Sequence, residues 1–490
     1  MNKWLKIVSL LLVTMILSTL VIGCAKKVEN EGSQNDPIKA VEENTTANKS
    51  TDVVVIGAGG AGLSAALEVK LGGKEVIVVE KMPVVGGNTL RATGGINAAG
   101  TSVQKALGIE DSVETHYEDT MKGGYDKNDP ALVKVMTENA ADSIEWLISL
   151  GADLSDVGRL AGATNDRAHR PTGGAPVGSH IVKILKENAA KENIEILLET
   201  TATEILYENN EIKGIVAKDK DGNSFTIEAN AVIIATGGFG ANTTMVAELD
   251  SSLEGFGTTN HPGATGDGIT MATDIGADVV QMEEIQTHPT VVPSNGYMIT
   301  EAVRGNGAIL INRDGKRFVS ELSTRDVVSE AVLQQEGKTA FLFFDGTVKE
   351  SLKAIDGYIK MGLTTEGETI EELAGKLGIN GENLVETVNV YNGYVDAKED
   401  KDFARPDMPR KLEKATYYAI EVGPAVHHTM GGLKINEKAQ VLDTNGNVIT
   451  GLYAAGEVTG GVHGGNRLGG NALADIVTFG RIAGKNAVGK

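Results

Sequence analysis

Three stretches of this chain hold side chains that an ordinary core has little use for. The first is Thr287-His288-Pro289, followed by Met298, Thr300, Glu301 and Arg304; the second is Thr324-Arg325-Asp326. The third begins at His427-His428-Thr429-Met430-Gly431-Gly432 and continues through Glu457 to Gly464-Gly465-Asn466-Arg467-Leu468-Gly469-Gly470. Singly, each has a plain explanation, since a lone histidine is more often structural than catalytic and a surface Arg-Asp pair is usually solvated. The glycines change the reading around His427 and Arg467. A Gly-Gly pair beside a base lets backbone and side chain both approach a flat ligand, and a core gains little from four glycines flanking Asn466-Arg467-Leu468.

The element that would position these groups lies far upstream, at Asp52 to Glu80, DVVVIGAGGAGLSAALEVKLGGKEVIVVE. It reads as a buried strand, a glycine turn, a helix and a second strand ending in an acid. Gly57, Gly59 and Gly62 stand in the GxGxxG pattern: the first allows the tight turn, the second lets a pyrophosphate approach the backbone, and the third brings helix and sheet together. The helix N-terminus offers N–H groups and partial positive charge to phosphates, and the Glu80 carboxylate can accept hydrogen bonds from a ribose. This unit predicts a dinucleotide site and leaves FAD and NAD both open.

A second glycine cluster follows at Gly86-Gly87-Asn88-Thr89 and Gly94-Gly95, where a loop at the carboxyl ends of the strands would pass over the rest of a dinucleotide. Pro130 starts a helix expected to reach Leu150, with Val133, Met136, Ile144, Leu147 and Ile148 on its buried side. The loop from Arg159 to Gly178 carries Arg167, His169 and Arg170, either as a solvated surface or as the cover of an anionic site. Helical pattern covers Val177 to Asn193, and several strands occupy Ile194 to Ile234, broken at Asn209-Asn210 and Asp221-Gly222. Asp267 falls at a helix start, facing a ligand or simply capping it. From Ile285 to Lys414 the character changes to strand-like ILIN and FLFF segments and acidic amphipathic helices. Glycine-turn signatures resume only at His427, which points to a domain inserted into the dinucleotide fold.

At 490 residues the chain has room for two domains with substantial cores. Residues 1–50 hold six Lys and five acids, so the net charge of -21 sits in the body of the chain and argues against nucleic acid as a partner. An anionic substrate would need local positive charge to draw it in. The single cysteine, Cys24, excludes internal disulfides and CxxC metal or haem sites. Lys3 and Lys6, an apolar run from Ile7 to Ile22, and then Gly23-Cys24 read as an export signal. The final Val21-Ile22-Gly23-Cys24 resembles a bacterial lipoprotein signal with Cys24 as the lipidated residue; an uncleaved anchor or an ordinary signal peptide are the alternatives. All three place the protein outside the cytoplasm. The polar stretch 25–50 reads as a disordered tether.

From Asp52 to the C-terminus the chain resembles the flavoprotein subunit of the fumarate reductase and succinate dehydrogenase family, and most closely the soluble flavocytochrome c type of fumarate reductase. The motifs that carry the resemblance are GAGGAG at Gly57, GGNT at Gly86, ATGG at Ala235, THPT at Thr287, TEAVRG at Thr300, STRD at Ser323, HHTMGG at His427, AAGE at Ala454 and GGNRLGGNAL at Gly464. The fold this implies is α/β: a Rossmann-like FAD-binding domain in two parts, 51–284 and 416–490, with an inserted α+β capping domain at 285–415. The implied cofactor is FAD, bound through Gly57, Gly59, Ala61, Gly62 and Glu80 at the adenosine half. Asn88, Thr89, Gly94, Gly95, Asp267, His428, Glu457, Ala472 and Leu473 match contacts nearer the flavin. His288, Thr300, His427, Arg467 and Gly470 match residues that grip a dicarboxylate. Arg325 matches the residue that protonates the substrate carbon, supplied through Arg304 and Glu301.

The implied activity is reduction of fumarate to succinate in anaerobic respiration, with a reductase of urocanate or another unsaturated acid as the alternative, and a non-catalytic flavin electron-transfer lipoprotein as a more distant one. Departures from the family narrow this. Asn88 stands where the membrane-bound members carry the histidine that bonds FAD, so non-covalent FAD is expected. Without CxxCH motifs for haem, electrons are expected from a separate donor, a cytochrome, an FMN protein or a quinol-linked enzyme. Membrane lipid, through Cys24, is the remaining expected partner.

Overall fold

Val53–Ile56 is the strand from which the architecture is laid out. All four of its residues are buried, as β-branched side chains covered on both faces should be. Ala231–Ile234 and Val76–Val79 run parallel on either side of it. Glu195–Leu197 adds outside one and Val448–Ala454 outside the other, both parallel, and Gln440–Leu442 closes an edge in antiparallel sense. The six strands form one sheet with the glycine turn at the carboxyl end of its central strand, the α/β arrangement expected for the N-terminal unit. The computed structural model describes residues 47–489. The signal expected at 1–24, with Cys24, and most of the 25–50 tether lie outside the described residues. The chain joins the fold slightly earlier than the expected tether end, because Lys49–Ser50 pair parallel with Ser224–Glu228 and Lys49 Nζ reaches Glu195 at 2.8 Å.

Two helices lock onto the central strand's turn. Gly60–Leu71 and Asn471–Ala487 touch along their backbones, since a Cβ on Gly480 would stand 2.6 Å from the Ala61 carbonyl and one on Gly484 2.4 Å from that of Ala65. Arg481 Nε–Glu68 Oε1 at 2.7 Å fastens the same pair. Pro130–Ser149 begins where Asp129 accepts from the Ala131 and Leu132 amides, with proline at the first helical position, where no amide is needed. Its Val133, Met136, Ile144 and Leu147 are buried as expected, whereas Ile148 is only half-buried. Asn209 and Asn210 both take positive φ, 53° and 64°, which makes the tight hairpin turn between Thr201–Glu208 and Glu211–Lys218.

The hydrophobic core around this sheet draws on residues from Val53 to Ala277 and again from Val426 to Ala483. A second core takes its members between Val292 and Val422. It is built on an antiparallel sheet in the order Ile285–Val291, Tyr417–Thr429, Ala340–Asp345, Ile309–Ile311, with Thr365–Gly367 paired at the side. One long strand, Tyr417–Thr429, belongs to both: Tyr418, Ile420 and Val422 are in the second core and Val426 is in the first. His427 and His428 follow at once, so the histidine pair is delivered to the seam between the cores by a strand anchored in each.

Candidate active site

A cleft starts at the glycine turn, runs between Glu80 and Asp267, and reaches Asn88 and Glu457. The three motif glycines differ in what surrounds them. A Cβ on Gly57, at φ 101°, would stand 2.4 Å from the Ala235 carbonyl, and one on Gly62 would be 1.9 Å from the Gly57 carbonyl. These two are required by the protein's own packing. A Cβ on Gly59 would meet only the Gly86 carbonyl, at 4.0 Å, so nothing in the chain needs a glycine there, and the open space is left for a ligand. Gly59, at the N-cap, has no side chain to cap the helix that follows, and the Gly60 amide donates to Thr89 Oγ1 at 3.1 Å.

The Glu80 carboxylate accepts from the Ala58 amide at 2.8 Å and the Met82 amide at 2.9 Å, which holds the turn at a fixed distance from the second strand. Asp267 begins its helix but pairs with Lys81 Nζ at 2.7 Å and accepts from Thr265 Oγ1, so it faces the cleft instead of capping. Asn88 donates to Asn260 Oδ1 at 2.6 Å and Glu457 Oε2 at 3.1 Å, and accepts from the His261 amide at 2.6 Å. Burial raises the Glu457 carboxyl above its usual range, against opposing hydrogen bonds from Thr429 and Asn88. His428 Nδ1 lies 3.5 Å from Glu457 Oε1, while its buried Nε2 has no partner among the described residues. Gly62, Gly94, Gly95, Ala472 and Leu473 do not line the cleft. A Cβ on Gly95 would crowd Ala168 at 2.9 Å, and Ala472 and Leu473 form the first turn of Asn471–Ala487.

At the seam the basic side chains converge. His288 and His427 meet edge to face with ring centroids 5.1 Å apart. Burial, and then the arginines nearby, hold both imidazoles well below their usual pKa, so both are neutral at pH 7. The Thr290 amide donates to His288 Nδ1 at 3.3 Å, which leaves the ring proton on Nε2 as a donor. His427 Nδ1 is 2.7 Å from Thr259 Oγ1. Arg467 NH1 donates to the Leu468 carbonyl, NH2 to Gln286 Oε1 at 3.1 Å, and its buried Nε has no partner among the described residues. Arg325 donates from Nε to Glu301 Oε2 at 2.8 Å and from NH1 to the same Gln286 oxygen at 3.1 Å. Gln286 thus bridges two guanidinium groups that would otherwise only repel. Thr300 donates from its amide to the Tyr358 hydroxyl at 3.1 Å, and Gly470, at φ 85°, sits where a Cβ would be 2.3 Å from Asn97 Oδ1.

Behind Arg325 the charges alternate. Burial alone would raise the Glu301 carboxyl, but Arg325 and Arg304 outweigh it and bring its pKa down to about 2. Arg304 NH2 is 3.8 Å from Glu301 Oε2, and NH1 donates to the Glu321 carbonyl at 2.6 Å. Burial lowers Arg304 to about 10, and burial together with Arg325 lowers Arg467 to about 9. Guanidinium charge is penalised here. Arg405 fixes the backbone beneath Arg304, donating to the Arg304 carbonyl at 2.6 Å while paired with buried Glu321 at 3.0 Å.

The loop bases 167–170 go elsewhere. Arg167 is buried against Asp111 and Asp119, each at 2.9 Å, and Arg170 pairs with Asp156 at 2.7 Å. His169 is buried between Thr101 Oγ1 and the Arg167 carbonyl. They form no cover over an anion, because Asp111 and Asp119 neutralise Arg167, Asp156 on the paired strand neutralises Arg170, and His169 is buried in hydrogen bonds of its own. Gln286, Lys81 and Thr259 are the site residues that sequence reasoning missed. For Gln286 a signal existed: it is two residues before His288 on one strand, the spacing that shares a face.

The sheet, the glycine turn and the cleft define a dinucleotide-binding protein, and the comparisons make the dinucleotide FAD. A family model described as an FAD binding domain matches residues 52–473. Over 439 residues the chain is 53% identical to the fumarate reductase (cytochrome) of Shewanella frigidimarina, covering 89% of this chain and 77% of that protein. It is 38% identical over 450 residues to the urocanate reductase of Eggerthella lenta, covering 89% and 74% respectively. The solved open conformation of a flavocytochrome c3 fumarate reductase superposes with a TM-score of 0.78 at 44% identity, over 95% of this chain and 83% of that one. The chain belongs to the FAD-binding flavoprotein family of the fumarate reductases, and it is an FAD-dependent oxidoreductase of that type. The residues present fit the cofactor: Gly59 leaves open space at a helix N-terminus, and His428, beside the cleft residue Glu457, has a buried Nε2 with no partner among the described residues.

Proposed function

We propose that this protein reduces fumarate to succinate at the cell envelope in anaerobic respiration, with non-covalently bound FAD. The observation that carries the reading is the placement of Arg325: one edge of its guanidinium is hydrogen-bonded to Glu301, and another is tied through Gln286 to Arg467 beside the His288–His427 pair. Reduced FAD, when bound, supplies the hydride that adds to one alkene carbon. His288, through Nε2–H, His427 and Arg467 bind the carboxylates and stabilise the negative charge that builds on the substrate. Arg325 gives a proton to the adjacent carbon, and Glu301 restores it from Arg304. Arginine is ordinarily too basic for this; what supports the role here is Glu301, whose carboxylate stands 2.8 Å from Arg325 Nε, where it can return a proton at once.

Asn88 supports non-covalent FAD, since a carboxamide nitrogen, with its lone pair delocalised, is a poor nucleophile. In this reading a separate donor supplies the electrons, and lipidated Cys24 holds the protein to the outer face of the membrane. The test is turnover of the purified full chain with reduced viologen and, in parallel, fumarate, urocanate and methacrylate. Fumarate is expected to be consumed fastest. Brisk turnover of another acid with none of fumarate would reject the substrate and keep the fold.

A further inference from the structure

The helix Arg325–Leu333 begins with the proposed proton donor, and its start is unusual. Thr324, a residue type that normally caps a helix with its own hydroxyl, makes no such bond here. Its Oγ1 lies instead 3.3 Å from the hydroxyl of Tyr125, and the same phenol donates a short hydrogen bond to Asp326 Oδ2 in the first turn. The other carboxylate oxygen, Oδ1, is buried without a partner among the described residues. Tyr125 comes from the opposite side of the seam, from a loop that Asn128 ties to the Val462 carbonyl at 2.8 Å. Tyr125 and Asp126 both hold positive φ, 59° and 55°, a conformation that non-glycine side chains adopt only under constraint.

That loop also touches the segment carrying Arg467. The Gly465 amide donates to the Gly124 carbonyl at 2.8 Å, and Asn466 Nδ2 to the Gly123 carbonyl at 3.2 Å. Loop 123–128 therefore holds the Arg467 segment by its backbone on one side and the Arg325 helix through a phenol on the other. Arg325 NH2, for its part, reaches to 3.6 Å from where a Cβ on Gly469 would stand.

We infer that Tyr125 is a positioning residue for the reaction: through Asp326 and Thr324 it fixes the first turn of the Arg325 helix against the Arg467 segment, and so sets the distance between proton donor and carboxylate grip. This rests on the functional reading above. A proton donor must sit within hydrogen-bond reach of the carbon it serves, so a loose helix start lowers the rate of the step more than it lowers substrate binding. The acceptor is a carboxylate, which strengthens the bond, and the phenol is about half exposed, which weakens it.

The test uses the full-length enzyme with Tyr125→Phe, Asp326→Ala, Asp326→Asn and the Tyr125→Phe/Asp326→Ala double variant, assayed with whichever unsaturated acid the wild type reduces fastest. In Tyr125→Phe, kcat is expected to fall roughly five- to tenfold while KM and succinate binding change less than about twofold. Asp326→Asn, which keeps an acceptor oxygen, should retain most of the activity, and the double variant should be no slower than Asp326→Ala alone. An unchanged kcat in Tyr125→Phe, a loss appearing equally in KM, or additive losses in the double variant would each overturn the inference. Flavin content and thermal midpoint measured alongside identify a variant that has merely lost its fold; if Tyr125→Phe is one, a kcat loss in Asp326→Ala that Asp326→Asn restores supports the inference, and equal kcat in the two overturns it. If the wild type ignores fumarate but reduces another acid, the substrate reading has failed, and the same kcat-to-KM comparison still tests Tyr125.

Discussion

Glu301→Gln isolates the relay from the substrate grip. Its carboxylate stands 2.8 Å from Arg325 Nε and 3.8 Å from Arg304 NH2, in a site where all three are nearly or wholly buried. At an effective dielectric constant of about 20 these separations correspond to attractions of about 6 and about 4 kcal/mol, most of which offsets the burial of the charges. The amide keeps the size of the side chain and can still accept from the Ala161 amide, as Oε1 does at 3.2 Å. What it loses is the negative charge between two cations and the ability to carry a proton. The stability lost by breaking such a buried pair is about 3–5 kcal/mol. The rate lost with a general acid that can no longer be resupplied is about 10²- to 10⁴-fold in kcat. Since Glu301 touches none of His288, His427 or Arg467, KM should stay within about threefold of wild type. Steady-state kinetics with reduced viologen reads both numbers, and denaturant unfolding reads the third. A variant with kcat within about threefold of wild type would refute the relay, whatever its stability.

The second and third motif glycines separate fold from cofactor. Gly62→Ala would drive a methyl group to 1.9 Å from the Gly57 carbonyl and should yield no folded protein, whereas Gly59→Ala meets only an oxygen at 4.0 Å and should fold normally while binding FAD at least about tenfold more weakly; equal behaviour of the two in thermal melts and flavin titration would contradict this. Acid should destabilise the protein earlier than carboxylate titration would. Burial lowers His116 to about 4, so between pH 6.5 and about 4 the unfolded chain binds a proton that the folded one does not, and unfolding free energy should drop by about 1.4 kcal/mol per pH unit from this residue, with its full contribution present above pH 6.5. His116→Gln should flatten the pH dependence of the urea midpoint by that amount. With Asn88 at the loop position, acid precipitation should release all of the flavin to the supernatant; yellow precipitated protein would mean a covalent bond.

How much of this was legible in sequence depended on whether cause and effect lay close together. The strand at Val53, the turn at Gly57 and the helix behind it could be read because each needs only its own residues, and the motifs at His427 and Arg467 announced themselves through clustered glycines. The strand Tyr417–Thr429 was not read as the tie between two cores, since its partners come from Ile285–Val291 and Ala340–Asp345, more than seventy residues upstream by rough count. The bases at Arg167 and Arg170 invite a functional reading that the fold does not support, because Asp111 and Asp119 are brought to Arg167 by tertiary packing and Asp156 to Arg170 by a strand pairing that the glycine-rich loop hides. Gln286 was passed over for a chemical reason: an uncharged amide looks like filler until two arginines are found sharing its oxygen.

The claim at the centre of this account is that Arg325 protonates fumarate while His288, His427 and Arg467 hold it. Stopped-flow mixing of prereduced enzyme with fumarate tests it most directly, by following the return of oxidised flavin absorbance in wild type and in Arg325→Lys. The lysine keeps a charge but cannot reach Glu301 and Gln286 together as the guanidinium fork does. Wild type should reoxidise at a rate at least equal to kcat, and Arg325→Lys at least about 10²-fold more slowly with succinate affinity retained. Flavin that stays reduced in wild type, or reoxidises equally fast in the variant, would contradict the claim.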